Sequence, residues 1–470
     1  MEIIKADICV IGAGSGGLTV AAGAAQLGRK VVLIERGKMG GDCLNTGCVP
    51  SKSLIAAANR AHAVRESEPL GIRAIKLEID APRVHAHVRE AIETIAPSDS
   101  QERFERLGVI VIRASARFLD KRSLESDGKR ILARRFVIAT GSRPAVPPIP
   151  GIEQISYFTN ETIFEKDFIP NHLIAIGAGP VGMELAQAHR RLGSQVTVLE
   201  AARALPREDE EAARLVTARL MREGVYLLEQ TKIESVSGIA TGVSVRLGTG
   251  QTIEGSHLLV ATGRKPNIEH LHLELAGVAF DAKGVKVDHA LRTTNKRIYA
   301  IGDVAGGLQF THVANYNASL VIRNALFRLP IRVDESAIPH VTFTDPELAH
   351  VGLIESEARA KYGEIAIVHA EFADNDRAVT ERTREGFVKA VVGRSGRILG
   401  ATIVGPHAGE LILPWVMAIR QKMKLRNMTG FVVPYPTLSE ASKRAASSYY
   451  APKLFGRRAR ALVRALSWLG

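Results

Sequence analysis

Two cysteines offer the most obvious chemistry in this 470-residue chain. Cys43 and Cys48 are separated by four residues in the stretch GGDCLNTGCVPSK, and the chain has only three cysteines in all. Two neighbouring thiols can form a redox couple in which the thiolate is the reactive species. Two cysteines are too few for a structural zinc site, and no metal-ligand set is predicted. A pair of buried, inert thiols is the remaining alternative, and Cys9, in an apolar strand pattern, is expected in the core.

The spacing of the pair constrains the local backbone. Five steps along an ideal helix advance about 7.5 Å, whereas disulfide-bonded Cα atoms lie about 4.4 to 6.8 Å apart. The turn between the cysteines must therefore be irregular, and Gly47 permits this. Pro50 and the residues after it predict a long helix, whose N-terminal dipole would favour a thiolate at Cys48.

An internal repeat provides two further elements for this chemistry. Each copy has an apolar strand pattern, a glycine-rich turn, a helical stretch and a second strand that ends in an acid, 23 residues after the first glycine. This arrangement predicts two dinucleotide sites, in which the turn binds the pyrophosphate and the acid binds ribose hydroxyls. Two unrelated glycine turns are the alternative. The residues are Gly12, Gly14, Gly17 and Glu35 in the first copy, and Gly177, Gly179, Gly182 and Glu200 in the second.

Length and composition set the limits around these sites. A chain of 470 residues with 46% hydrophobic content predicts about three domains. No secretory signal and no membrane-spanning run is apparent, so the protein is expected to be cytoplasmic. In a reducing compartment, a Cys43–Cys48 bridge is expected to be a working redox couple and not a structural disulfide.

The net charge of +13 is concentrated at the C-terminal end. Residues 421–470 hold ten Lys or Arg against one acid, Glu440. The remainder is nearly balanced and carries no nucleic-acid-binding motif, so no nucleic-acid partner is predicted. The segment 453–470 predicts a basic amphipathic helix. Its apolar stripe is Phe455, Ala459, Leu462, Leu466 and Leu469; Arg457, Arg460 and Arg464 lie opposite, and Trp468 falls on the basic side.

Two dinucleotide sites and a thiol pair suggest electron transfer from nicotinamide through a flavin to sulfur. The stretch GGDCLNTGCVPSK closely resembles the redox motif of the class I pyridine nucleotide-disulfide oxidoreductases, the family of dihydrolipoamide dehydrogenase and mercuric reductase. Five further stretches resemble the family in its own order along the chain. These are VIATGSRP (137–144), LVATGRKPN (259–267), IYAIGDVAG (298–306), VTFTDPELAHVG (341–352) and PTLSEA (436–441).

The resemblance implies a fold and a domain order. The fold class is α/β, with two Rossmann-like domains for FAD and NAD and a C-terminal α+β dimerisation domain. The implied segments are 1–150 for FAD and the cysteine pair, 151–265 for NAD(P)H, 266–335 completing the FAD domain, 336–452 for dimerisation, and 453–470 as the basic tail. A homodimer is expected.

The resemblance also implies roles for individual residues. Cys48 is the sulfur that faces the flavin and Cys43 the one that meets the acceptor. Lys52 and Glu184 form an ion pair near the flavin ring; two surface charges are the alternative. Asp303 binds the ribityl and phosphate region of FAD, which Gly302 lets the chain approach. Thr140, Gly141 and Gly263, in the two ATG motifs, complete the cofactor-binding set.

Nicotinamide selectivity rests on Glu200. A carboxylate accepts hydrogen bonds from both ribose hydroxyls and repels a 2′-phosphate, so NADH is the expected form of NAD(P)H. Arg203 and Arg207 follow closely enough to weaken this preference.

The acceptor end departs from the family pattern at Tyr435. Dihydrolipoamide dehydrogenase has His-Pro-Thr followed by Glu, and here Tyr435 precedes Pro436, with Glu440 after it. A phenol is a poor proton shuttle at neutral pH, so a mercuric-reductase-like enzyme is preferred. Mercuric reductase itself has C-terminal delivery cysteines that this chain lacks. A packing role for Tyr435 is the alternative; if it acts with Glu440, it acts on the partner subunit's Cys43.

The acceptor and the location of the enzyme stay open at this stage. A metal ion, a small-molecule disulfide, a quinone or a reactive electrophile would suit the thiol pair. A true dihydrolipoamide dehydrogenase, and a redox-sensing or membrane-tethered flavoprotein with little turnover, are the alternatives. The tail fits either the inner face of an anionic membrane or a helix packed on the body of the protein.

Overall fold

The computed structural model describes residues 2–468, and Leu469 of the predicted tail stripe lies outside them. The predicted α/β class is confirmed. Within that range the strands are β1 (Ile3–Ile11), β2 (Val31–Ile34), β3 (Ile110–Ile112), β4 (Ala116–Asp120), β5 (Ser123–Ser126), β6 (Lys129–Ile138), β7 (Ser142–Pro144), β8 (His172–Ile176), β9 (Gln195–Leu199), β10 (Val225–Leu228), β11 (Ile233–Ile239), β12 (Gly242–Leu247), β13 (Thr252–Gly255), β14 (His257–Val260), β15 (Arg264–Pro266), β16 (Phe280–Asp281), β17 (Gly284–Val285), β18 (Ile298–Ala300), β19 (Pro339–Thr342), β20 (Glu347–Gly352), β21 (Ile365–Glu371), β22 (Phe387–Gly393) and β23 (Ile398–Gly405).

Helices alternate with these strands in the first half and cluster near the C-terminal end. They are α1 (Ser15–Gln26), α2 (Gly41–Asn45), α3 (Cys48–Arg65), α4 (Ala81–Ile95), α5 (Gln101–Arg106), α6 (Pro180–Arg191), α7 (Glu210–Arg222), α8 (Thr311–Phe327), α9 (Glu355–Tyr362), α10 (Asp376–Thr380), α11 (Ala408–Leu411), α12 (Leu413–Arg420), α13 (Glu440–Ser448), α14 (Ala451–Leu454) and α15 (Arg457–Leu466).

The chain divides into two compact units. The first comprises residues 2–201 and 228–333, and the second comprises 202–227 and 334–468. The segment 202–227, which the sequence places in the nucleotide-binding half, is therefore grouped with the C-terminal part. The five finer segment boundaries stay predictions.

A sheet with parallel strands β3-β2-β1-β6 organises the first unit, and β18 adds to β6 in parallel. Residues alternate between its two faces with the period of two that strands impose. Val10 and Leu33 pack in one apolar cluster, and Cys9 and Ile34 pack in another. Cys9 is fully buried, so its predicted place in the core is confirmed. This sheet places the first glycine loop at the carboxyl end of β1.

The second glycine loop follows β8 in a separate sheet of order β10-β9-β8-β14. Strand β8 pairs in parallel with β9 and β14, as expected for a second dinucleotide-binding unit. The predicted internal repeat is thus a repeat of strand, glycine loop and helix.

A five-stranded antiparallel sheet of order β19-β20-β23-β22-β21 forms the centre of the second unit. One face carries an apolar cluster that includes Val388, Ala401 and the fully buried Trp415 of α12. This cluster also holds Ala441 and Ala445 of α13, so the helix after the Tyr435 loop is fixed against the sheet.

The opposite face of this sheet carries a polar row that crosses all five strands. Its members are paired in register from strand to strand and are His340, His350, Thr402, Lys389 and His369. Lys389 is only 7% exposed. Burying a charged or polar side chain is costly unless it has a hydrogen-bond or ion-pair partner. The side chains of this row therefore need such partners on the helices that pack against this face of the sheet.

Acids at the start of α7 and on α9 supply those partners. The Lys389 ammonium lies 3.0 Å from Asp209 Oδ2, 3.2 Å from Glu211 Oε2 and 3.1 Å from Glu355 Oε2. His340 Nε2 lies 3.0 Å from Glu208 Oε2. These contacts explain why 202–227 belongs to the second unit.

The basic tail is helical in part: α15 covers Arg457–Leu466, but Phe455 and Gly456 separate it from α14, so the single helix predicted from residue 453 is wrong at its start. Helix α15 buries none of its residues, and Leu462 and Leu466 of the apolar stripe are 60% and 53% exposed. Trp468 is 89% exposed. Among residues 2–468, no helix is long and apolar enough to cross a membrane.

Candidate active site

The two cysteines lie at the junction of two helices. Cys43 belongs to α2 and Cys48 is the first residue of α3, so the long helix predicted after Pro50 is confirmed. Gly47 between them has φ −120° and ψ −116°, and a Cβ there would lie 2.9 Å from Asp42 O and 3.2 Å from Cys43 Cα. The irregular turn predicted from the spacing is therefore present, and glycine is required by the close approach of the backbone.

As thiols, the two cysteines have unequal proton affinities. The pKa of Cys48 is lowered to about 6, first by the hydrogen bond from Cys43 and then by Thr311 and the charge of Lys52, against the opposing effect of burial. The pKa of Cys43 is raised, first by its hydrogen bond to Cys48 and then by burial. At neutral pH, Cys48 is thus the thiolate and Cys43 holds the proton.

Thr311, which the sequence analysis did not single out, completes this arrangement. Its Oγ1 lies 3.7 Å from Cys48 Sγ, and Thr311 is the first residue of the 17-residue helix α8. A hydroxyl and two helix N-termini, those of α3 and α8, therefore surround the Cys48 sulfur, and each stabilises negative charge. No local motif connects positions 48 and 311, so no sequence pattern indicates this residue.

We predict that Thr311→Val will raise the pKa of Cys48 by about one unit, because a hydrogen bond to the thiolate is lost. The measurement is the rate of Cys48 alkylation by iodoacetamide from pH 5 to 9, read by mass spectrometry. Thr311→Ser retains the hydroxyl and is the matched control. An unchanged alkylation profile for Thr311→Val would show that the hydroxyl does not act on the sulfur.

The predicted ion pair between Lys52 and Glu184 is present. Lys52 Nζ lies 2.8 Å from Glu184 Oε2, and the Glu184 side chain is 6% exposed. Lys52 is one turn after Cys48 on α3, while Glu184 lies on α6 after the second glycine loop. The pair joins the two repeat units, and the charge of Lys52 lowers the pKa of Cys48 while that of Glu184 opposes it.

The first glycine loop has the geometry of a dinucleotide cradle. Gly17 carries no side chain because its Cβ would lie 1.9 Å from Gly12 O. Glu35 Oε2 accepts a hydrogen bond from Ala13 N at 2.7 Å, so its carboxylate is held at the mouth of the loop. The Cβ of a residue at position 14 would lie 3.9 Å from Gly41 Cα, and glycine leaves the space between the two loops open. These residues fit the pyrophosphate and ribose of FAD.

The second glycine loop repeats this geometry closely. The Cβ of a residue at Gly182 would lie 2.0 Å from Gly177 O, and nothing lies within 4 Å of the Cβ position of Gly179. Glu200 Oε2 accepts a hydrogen bond from Ala178 N at 2.8 Å. The site therefore fits a second dinucleotide, and Glu200 occupies the position expected of a ribose-binding acid.

Asp303 belongs to a charged cluster next to the cysteine loop. Ser142 Oγ donates to Asp303 Oδ2 at 2.5 Å, and Arg264 Nε lies 3.5 Å from the same oxygen. Arg264 Nη2 also lies 3.2 Å from Asp42 Oδ2, next to Cys43. Asn160 donates to Asp42 Oδ1 and Thr46 O at 3.2 and 3.1 Å. Arg264 and Asn160, which the sequence analysis missed, thus hold the cysteine loop in place.

The ATG motifs lie at strand ends in this region. Thr140 donates to Asn267 O at 2.7 Å, and Asn267 Nδ2 donates back to Thr140 O at 3.0 Å, which joins the two motifs. Gly141 and Gly263 of these motifs adopt positive φ angles of 66° and 135°. Gly302, which precedes Asp303, has a φ of 67°.

Tyr435 and Glu440 lie in the second unit. Tyr435 is 70% exposed, and its hydroxyl donates to Asp376 Oδ2 at 2.9 Å. The pKa of Tyr435 is raised, first by this hydrogen bond and then by the Asp376 charge, so the phenol is protonated at neutral pH. Glu440 Oε2 accepts from Thr437 N at 3.4 Å.

Comparison with protein families identifies the chain. Residues 6–318 match the model of the pyridine nucleotide-disulphide oxidoreductases, and residues 338–446 match that family's dimerisation domain. The chain belongs to this family. Its members are FAD-dependent enzymes that use NAD(P)H, so the chain is an oxidoreductase of this type, and the dimerisation domain supports a homodimer.

Individual relatives match nearly the whole chain. Mercuric reductase of Lysinibacillus sphaericus is 34% identical over 449 residues, which are 94% of this chain and 82% of that protein. Dihydrolipoyl dehydrogenase of Bacillus subtilis is 33% identical over 450 residues, 94% of this chain and 98% of that one. The Cu(II) complex of the HOCl-induced flavoprotein disulfide reductase RclA from Escherichia coli has a TM-score of 0.85 at 29% identity, covering 94% and 99% of the two chains.

Proposed function

We propose that this flavoprotein disulfide oxidoreductase transfers electrons from NADH through the Cys43–Cys48 pair to a thiophilic metal ion. The observation that carries the proposal is the inequality of the two sulfurs. Cys48, exposed at the start of α3, is a thiolate with a pKa of about 6, whereas Cys43, half-buried in α2, keeps its proton. The family pattern makes Cys43 the sulfur that meets the acceptor. FAD, when bound, accepts a hydride from nicotinamide and passes electrons to sulfur.

The protein side chains have separate tasks in this scheme. Lys52, paired with Glu184, places a positive charge beside Cys48 and stabilises its thiolate. The first glycine loop with Glu35 and Asp303 holds FAD, and the second loop with Glu200 holds the nicotinamide dinucleotide. Cys43 releases its proton to solvent as it binds the metal ion. Cys48 then closes the disulfide with Cys43, and the two electrons released reduce one Hg(II) or two Cu(II) ions.

Tyr435 supports a metal ion over a lipoamide. Oxidation of dihydrolipoamide needs a base that takes a thiol proton near neutral pH, and a phenol whose pKa is raised by Asp376 does not do this. A metal ion displaces the Cys43 proton when it binds the sulfur, so its reduction needs no such base. The mercuric reductases among the relatives and the Cu(II) complex of the E. coli reductase agree with this choice.

Steady-state oxidation of NADH under anaerobic conditions tests the proposal, with thiol-chelated Hg(II), chelated Cu(II) and lipoamide as separate acceptors. We expect turnover with a metal ion and little with lipoamide. Fast turnover of lipoamide would establish dihydrolipoamide dehydrogenase instead. Failure of all three acceptors would contradict the proposal in favour of a redox-sensing flavoprotein or of quinone and electrophile reduction.

NADH is the proposed electron donor because of the position of Glu200. Its carboxylate faces the second glycine loop, where it would repel the 2′-phosphate of NADPH. The Arg203 side chain forms an ion pair with Glu210, seven residues later, and its Nη1 lies 3.9 Å from Glu210 Oε1. A higher kcat/KM for NADH than for NADPH is the expected result, and the reverse order would refute this preference.

The tail is proposed to attach the enzyme to an anionic membrane surface. In α15 the apolar side chains Leu462 and Leu466 are exposed, and Arg460 and Arg464 lie on the other side of the helix. Apolar burial and charge attraction both favour an anionic bilayer for such a helix. Among residues 2–468, this helix buries none of its side chains.

We predict that the full chain will sediment with vesicles containing phosphatidylglycerol, and that a chain ending at Pro452 will not. Binding is expected to weaken with salt because arginines contribute to it. Arg460→Gln with Arg464→Gln is a milder variant that preserves the apolar stripe. Equal sedimentation of full-length and shortened chains would refute the membrane role, and a shift in oligomeric state on truncation would assign the tail to the dimer.

A further inference from the structure

Tyr435 is bonded to a carboxylate that lies outside the C-terminal motif. Its hydroxyl donates to Asp376 Oδ2 at 2.9 Å, although Asp376 is 59 residues earlier in the chain. Asp376 begins the short helix α10. The C-terminal motif alone, in which Glu440 follows Tyr435 by five residues, suggests Glu440 as the carboxylate partner.

The backbone around this contact is fixed from the same helix start. Asn375 is 4% exposed, and its Oδ1 caps α10 by accepting from Ala378 N at 3.0 Å. Its Nδ2 donates to Thr437 O at 3.0 Å, two residues after Tyr435. One buried side chain thus joins the Tyr435 loop to the residue that precedes Asp376, so the phenol and the carboxylate are held in register.

Glu440 has a different partner. Its carboxylate accepts from Thr437 N at 3.4 Å and so supports the loop backbone at the start of α13. Its charge also raises the pKa of Tyr435, but Asp376 has the larger effect. The carboxylate that directs the phenol is therefore Asp376.

We propose that Asp376 is the positioning residue for Tyr435 in acceptor binding, a role that rests on the proposed function. Because the hydroxyl proton points to Asp376, the phenol oxygen keeps its lone pairs free for an electrophile. The Tyr435 phenol stays neutral, and the Asp376 carboxylate beside it carries a negative charge. This arrangement favours a metal cation over an anionic disulfide as the acceptor.

The first arm of the test does not need an acceptor. In protein labelled with fluorotyrosine, whose phenol titrates at lower pH, the Tyr435 fluorine resonance is assigned by its loss in Tyr435→Phe. Asp376→Asn is expected to lower the titration midpoint of Tyr435 by about one pH unit, a tenfold change in ionisation constant. Glu440→Gln is expected to lower it less, and Asp374→Asn, an exposed neighbour, should leave it unchanged.

The second arm measures metal reduction. Asp376→Asn is expected to raise KM for thiol-chelated Hg(II) or chelated Cu(II) about tenfold, with Asp374→Asn as the control. A Tyr435 midpoint that does not move in Asp376→Asn overturns the proposal, whatever the activity. A shifted midpoint with wild-type KM overturns the role in acceptor binding. If the wild type reduces no metal ion, the proposed function fails, and the titration still decides whether Asp376 directs Tyr435.

Discussion

Replacing Cys43 by alanine is expected to lower acceptor-dependent NADH oxidation at least about 10³-fold, because the sulfur that meets the acceptor is removed. The same change should raise the pKa of Cys48 from about 6, since the hydrogen bond from Cys43 is its main stabilising influence. Turnover with the best metal acceptor measures the first effect. The pH dependence of Cys48 alkylation measures the second.

Cys9→Ala is the control for the loss of a thiol, because Cys9 is fully buried and outside the redox pair. It should retain near wild-type turnover. Cys48→Ala should also abolish turnover, but it removes the thiolate that accepts the hydrogen bond from Cys43. If Cys43→Ala retained more than a tenth of wild-type activity, the acceptor would be reduced without the thiol pair.

The parts of this site that sequence predicts are those built from local patterns. The two glycine loops, Glu35 and Glu200 follow from a spacing of 23 residues within one strand–helix–strand unit. Cys43, Gly47 and Cys48 follow from a short motif whose geometry is limited by disulfide dimensions. In each case the residues that act together are also close in the chain.

The parts that sequence did not predict are contacts between distant segments. Thr311 reaches Cys48 over 263 residues, and Arg264 of β15 forms an ion pair with Asp42 of α2. The hydrogen bond between Tyr435 and Asp376 also joins distant segments, since the two residues are 59 positions apart. Serine, threonine, arginine and aspartate are common surface residues, so nothing in their own neighbourhoods distinguishes these from others. Lys52–Glu184 was predicted only because a family pattern specifies both partners.

The polar row of the second unit is a further example, and it carries the largest stability prediction. The sequence of β22, FVKAVVG, suggests a buried strand with one lysine at an unfavourable position. The structure accounts for Lys389 through three carboxylates within 3.2 Å. Burial lowers the pKa of Lys389, but Asp209, Glu355 and Glu211 outweigh it, so the net pKa is raised and the ammonium stays charged.

We expect Lys389→Met to lower the free energy of unfolding of the second unit by about 3 to 5 kcal/mol. The reason is that Asp209, 4% exposed, would be left without its cation. The ion pair of Lys389 with Glu211 contributes less to the free energy of unfolding, because the Glu211 side chain is 52% exposed and solvent screens its charge. Urea unfolding followed by the fluorescence of buried Trp415, in a Trp468→Phe background, reports this unit, because the chain has only these two tryptophans.

Arg394→Met is the matched control for loss of a cation. Its partner is Glu364 at 3.2 Å, but both side chains are more than 75% exposed, so a cost below about 1 kcal/mol is expected. Adding Asp209→Asn to Lys389→Met should recover part of the loss, because the uncompensated charge is removed. A Lys389→Met variant as stable as Arg394→Met would mean that the acids of α7 are stabilised by water. The row would then not be what holds residues 202–227 in the second unit.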